Sequence, residues 1–174
     1  MYTIAVVGVL LIAISFWMLS VQRSLVGMDE NIKSAMEQIG VLISAQWDIL
    51  TSLLDLTEWY ATHGCENIIE TMNARRSITK YSLPEAVMNQ EKIIAKTIRE
   101  FQDAAEGYPD LKADPNYVKT MEALRQYENM VQRSMQVYDD TVAKLDRTTH
   151  MFPSSVFAAI FGFSNHPYLN PAER

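Results

Sequence analysis

The sequence predicts an all-α protein. An N-terminal transmembrane helix continues into an antiparallel, up-and-down bundle of about four helices, followed by a short apolar C-terminal helix. Three observations carry this. Residues 1–22, MYTIAVVGVLLIAISFWMLSVQ, hold no charged side chain. Two later stretches place apolar residues alternately three and four apart. Glycine and proline, six of each, leave little punctuation for the many short strands of an all-β fold. The organisation that follows is an anchor at 1–22, a helical bundle at 23–152 and an apolar tail segment at 153–174.

The first element is the anchor. A helix of about 20 apolar residues crosses a hydrocarbon core of about 30 Å. A cleaved signal peptide would need a basic lead, a shorter apolar core and a small-residue cleavage site. Here the apolar run begins at Tyr2 with no Lys or Arg before it and leads into Val21-Gln22-Arg23. Tyr2 and Trp17 suit the two membrane interfaces, with Leu10 and Phe16 in the apolar stretch between them. Arg23 and Lys33 follow the span, so the positive-inside rule puts the N-terminus outside and the bundle in the cytoplasm of a bacterial cell.

The second element is a seam: Leu25, Met28, Ile32, Ala35, Ile39, Leu42, Gln46, Ile49, Leu53, Leu56 and Tyr60, polar only at Gln46. A repeat averaging about 3.5 residues keeps one face against a neighbouring helix along its length. No proline separates the seam from the span, so one rod is expected from the bilayer to about His63, with Gly64 as its stop or kink. Two shorter pieces follow. Residues 65–81 carry Ile68, Ile69, Met72 and Ile78, and either extend the first helix or turn back. Residues 84–106, with Ser82 as a cap ahead of Pro84, carry Val87, Ile94, Ile98, Phe101 and Ala105. After the turn Gly107-Tyr108-Pro109-Asp110 comes the last long seam: Tyr117, Met121, Leu124, Glu128, Val131, Met135, Tyr138, Val142, Leu145, Thr149 and Phe152. Asp114 caps it, Pro115 takes the first helical position, and Pro153 stops it.

No chemistry announces itself. The paired Glu-x-x-His of di-iron bundles does not occur. His63 and His150 fall at helix ends, where the dipole favours a partial positive charge. Cys65 has no partner cysteine and reads as a small buried side chain. Arg75-Arg76 read as solvated or paired with Glu66 and Glu70. No catalytic residue, cofactor or metal ligand is expected, and a net charge of −6 argues against a nucleic-acid partner.

Four stretches resemble the LemA family of bacterial membrane-anchored helical proteins. SLVGMDENIKSAMEQIGVLI, 24–43, looks like that family's post-anchor helix. EWYATHGCENIIETMNARRSI, 58–78, is similar to its Tyr-Ala-x-His-Glu segment and Ala-Arg pair, with His63-Gly64 in place of His-Glu. The stretch from EGYPDLKADPNY through VAKLD, 106–146, resembles its Tyr-Pro-x-Leu-Lys-Ala turn and long helix. FPSSVFAAIFGFSNHPYL, 152–169, resembles its closing segment. At SAQWDILTSLL, 44–54, the family's two arginines and its proline are absent. The resemblance implies a single anchor, a cytoplasmic helical bundle and no established catalysis.

The expected function is a non-enzymatic, membrane-anchored scaffold that self-assembles as a homo-oligomer. The alternative is an adaptor that binds one membrane protein, such as a protease. Trp47, Leu54 and Trp59 lie off the first seam and either widen the core face or form an assembly patch. In the tail, Phe152, Phe157, Phe161 and Phe163 stand in a run without charge from Met151 to Phe163. That run closes the bundle as a lid, lies in the membrane interface, or docks on a neighbouring subunit.

Overall fold

A computed structural model describes residues 2–58, 66–152, 154–161 and 166–169. Among these, the regular elements are helices: α1 (Tyr2–Glu58), α2 (Glu66–Met72), α3 (Pro84–Glu106), α4 (Pro109–Ala113), α5 (Pro115–His150) and α6 (Ser154–Phe161). The expected stop at Gly64, the rod's end near His63, and Cys65 lie outside the described residues.

α1 is one unbroken helix of 57 residues, about 85 Å at 1.5 Å per residue. No proline interrupts it, and the Ser15 hydroxyl donates back to the Leu11 carbonyl at 2.8 Å. The helix has two environments. From Val6 to Leu19 its large apolar side chains are exposed, except the half-buried Met18. From Leu25 onward one face is buried.

That face is wider than the seam. Leu25, Ile32, Ile39, Gln46 and Leu53, seven apart, are all buried, but so are Met36, Ile43 and Leu50 beside them. Of the alternate members of the seam, Ala35 is buried, but Met28, Leu42 and Ile49 are only half-buried. The stripe is wide because α1 packs against α5, α3 and α2. A helix with several neighbours needs more than two apolar positions in seven. α5 presents a matching row, Tyr117, Leu124, Val131, Tyr138 and Leu145, again seven apart and buried. The seam's last member, Phe152, is 85% exposed and takes no part in this core.

The helix ends follow local chemistry. Asp114 caps α5 by accepting from the Asn116 N–H at 2.7 Å, and Pro115 sits at the first helical position. α3 begins at Pro84 without a side-chain cap. Ser82 does not cap it, because its hydroxyl instead accepts from the Thr79 N–H at 2.9 Å and closes the preceding turn. Residues 66–81 fold back on α1 rather than extend it. α2 packs on α1 and α3, and Arg75 reaches Ser44 and Asp48 on α1, more than a turn before α1 ends.

Candidate functional site

Three places in the fold gather polar groups. The first surrounds the middle of α1. Residues 73–83 run as turns and extended chain across it, passing so close that a β-carbon at Gly40 would collide with the Ile78 carbonyl oxygen. Only glycine admits that approach. Arg75 donates to Asp48 Oδ1 at 2.9 Å and to Ser44 Oγ at 2.8 Å, so its described partners are on α1. Beneath it lies Gln90, wholly buried on α3. Its Oε1 accepts from Trp47 Nε1–H at 3.1 Å and from the Arg76 N–H at 2.9 Å, while its Nε2 donates to the Ala74 carbonyl at 3.1 Å. One amide thus ties α1, α3 and the crossing loop together. Sequence periodicity gives no warning of it, since a glutamine on a buried face reads as an exception. Gln46, the polar member of the first seam, is also buried, and its Oε1 has no hydrogen-bond partner among the described residues.

The second place is the cleft between α3 and α5. Glu91 Oε2 accepts from Gln132 Nε2 at 3.2 Å, and its other oxygen is buried without a partner. Burial, with the negative charge of Glu128 adding to it, pushes the Glu91 carboxyl up to about 7 against the opposing hydrogen bond from Gln132. Farther along the same pair of helices, Ala105, Tyr117, Val118 and Met121 line a groove of about 780 Å³ whose charged residues are Glu106, Lys112, Glu122 and Arg125.

The third place is a strap made by residues 166–169. His166 Nε2 lies 2.9 Å from Asp29 Oδ1 on α1. Tyr138 O–H donates to the Pro167 carbonyl at 3.1 Å, and the Leu169 N–H donates to Asp139 Oδ1 at 2.7 Å. Leu169 is buried in the core. Burial pushes the Asp29 carboxyl up, but the hydrogen bonds and charges of Lys33 and His166 outweigh it, so Asp29 is held below the usual carboxylate range. Burial, with the charge of Asp139 adding to it, pushes the Tyr138 phenol up to about 12. The strap joins α1 to α5 through residues far from both in sequence, which no local pattern could signal.

The residues singled out from the sequence are dispersed. Tyr2, Leu10 and Phe16 are exposed on the first part of α1, with Trp17 a little less so. Trp47 is buried and Leu54 half-buried against the core, so Trp47 offers no open surface to another subunit. Phe152 is exposed beyond the end of α5. Phe157 and Phe161 belong to α6. Trp59, Phe163 and His63 lie outside the described residues. His150 folds back on its own helix, its Nδ1 at 2.8 Å from the Asp146 carbonyl. Among the described residues, no three His, Cys, Asp or Glu side chains come together as a metal site requires. One helix, α1, is long and apolar enough by length and composition to cross a membrane.

No curated protein matches this chain closely enough to count as a relative. The sequence model of the LemA family matches residues 35–174, from the buried part of α1 through the strap. That match covers most of the chain, and the protein belongs to the LemA family.

Proposed function

We propose that the protein is a non-enzymatic scaffold, anchored in the bacterial cell membrane by α1, whose cytoplasmic bundle associates with further copies of itself. The observation that carries this reading is the continuity of α1. The same helix that exposes apolar side chains from Val6 to Leu19 buries Leu25 to Leu53 in the core. An exposed apolar surface of that length is stable only when covered, and a bilayer core of about 30 Å matches it. A rigid link of this kind holds the bundle at a fixed height above the lipid.

The bundle is read as antiparallel and up-and-down. Gln90 and Glu91, adjacent on α3, bond to Trp47 on α1 and Gln132 on α5, whereas the strap joins Asp29 to Asp139. Residue numbers that fall along α1 rise along α5. Arg23 and Lys33 favour the cytoplasmic side for the bundle. Exposed Val41, Val118 and Val137 supply apolar contacts for assembly.

The adaptor reading draws on the α3–α5 groove, whose apolar floor and mixed-charge edge suit an amphipathic segment of another membrane protein. Native mass after mild detergent extraction separates the two. A uniform particle containing many copies of this chain alone supports the scaffold. A stoichiometric complex with a second protein supports the adaptor, and a lone monomer contradicts both.

A further inference from the structure

We propose that α6 and the Met151-Phe152 turn before it lie in the membrane interface beside the α1 span, giving the protein a second lipid contact. This rests on the reading of α1 as a membrane anchor. It departs from a simple lid, which would leave several large apolar groups in water.

The strap sets the height. His166 and Leu169 bond to Asp29 and Asp139, and an extended chain between them spans about 10 Å. The strap therefore holds the Asp29 stretch of α1 and the Asp139 stretch of α5 close to each other. From Asp29 back to Gln22, the last residue of the uncharged run, α1 covers about 10 Å at 1.5 Å per residue. α5 continues from Asp139 to His150, about 16 Å by the same rise. The Trp47–Gln90 and Glu91–Gln132 bonds lie on the other side of the strap, toward higher α1 and lower α5 numbers. The last turns of α5 therefore run toward the span and are long enough to reach its exit from the bilayer. Packing agrees, because Val21, inside the uncharged run, is partly buried against the core.

The chemistry at that level suits lipid. Ala158 is buried and α6 packs on α5, yet Met151 and Phe152 are 66% and 85% exposed and Val156 is 50% exposed. The sequence carries no charge from Met151 to Phe163. In water these side chains would stay uncovered, and at about 25 cal/mol per Å² their transfer into acyl chains is favourable. Interfacial helices usually bring their own Lys or Arg, and α6 has none. The last turns of α5 supply them instead, where Lys144, Arg147 and His150 stand exposed just before the apolar tip. Such groups match the phosphates of anionic lipids. The nearest acid, Asp146, is turned to His150, its Oδ1 at 3.4 Å from Nδ1.

Depth-dependent quenching tests this on the full chain carrying Cys65→Ser, in vesicles of phosphatidylcholine and phosphatidylglycerol. A polarity-sensitive fluorophore is placed in turn at Val156→Cys, Phe152→Cys, Ile12→Cys and Lys119→Cys, with nitroxide lipids labelled near the headgroup or at mid-chain. The Ile12 label should lose most fluorescence to the mid-chain nitroxide and the Lys119 label should lose none. The Val156 and Phe152 labels should lose more to the shallow nitroxide than to the deep one. An unquenched Ile12 label would sink the anchor reading and this inference with it. A quenched Ile12 label with both tail labels unquenched would leave the anchor standing and overturn the interfacial placement. If those tail labels are also shielded from aqueous iodide, a second copy or the bundle itself covers α6.

Discussion

At the scale of single residues, the fold depends on a few side chains that the periodic pattern does not mark. Gly40 lets the 73–83 segment cross α1 with its backbone almost touching the helix. A methyl group there meets a carbonyl held by its own chain rather than the movable end of a side chain. Gly40→Ala should therefore destabilise the protein by about 1–3 kcal/mol despite alanine's better helix propensity. Gly27→Ala, where a β-carbon meets nothing within 4 Å, should stabilise it slightly, and thermal unfolding of the two variants checks the pair. Glu91 gives a prediction in pH. Its carboxyl is raised from 4.5 to about 7 in the folded protein, so folding favours the protonated form. Below about 4.5 both states hold the proton and nothing is lost. As pH rises toward 7 the unfolded chain ionises first and stability falls, levelling off above 7. Glu91→Gln should stabilise the protein at pH 8 by on the order of 1–3 kcal/mol and change it little at pH 4.5. Denaturant titrations that give the same difference at both pH values would show that Glu91 ionises freely in the cleft.

At the scale of elements, much was legible. The uncharged run, the two apolar seams, Asp114-Pro115 at the start of α5 and Pro84 at the start of α3 all correspond to structure, because each follows from local sterics or from one buried face. What was not legible came from three-body packing. The first seam predicts Leu42 and Ile49 as core and is silent on Met36 and Leu50, which are the more deeply buried. A pattern of three and four describes one partner, and α1 packs on α2, α3 and α5. Gln90, Gly40 and the 166–169 strap were hidden for the same reason, since their partners are distant in sequence. Leu53 tests the seam itself. It is wholly buried, so Leu53→Asp should cost on the order of 3 kcal/mol or more, while the exposed Glu37→Ala should stay within about 0.5. Chemical denaturation giving equal small effects would mean that this face of α1 is not core.

At the scale of the whole molecule, α1 is one helix from Tyr2 to Glu58, a beam which the proposed function has begin in lipid and end in the bundle, with the strap and α6 bracing it where it leaves the membrane. Lowering pH should loosen that brace. Asp29 is held below its usual range by Lys33 and His166, so its contribution is present above about 3.8 and disappears as pH falls through its lower folded value. Proteolysis of the tail should accordingly accelerate at strongly acid pH and slow again on return to neutrality. The most direct test of the beam is a distance across the lipid boundary. Val9 and Val41 are both exposed on α1. On one straight helix their 32-residue separation is about 48 Å. Spin labels at Val9→Cys and Val41→Cys, with Cys65→Ser, in lipid nanodiscs should give one narrow distribution near that distance by pulsed electron resonance. A broad distribution, or a peak many ångströms shorter, would mean that α1 bends or breaks between membrane and bundle, and would contradict the account.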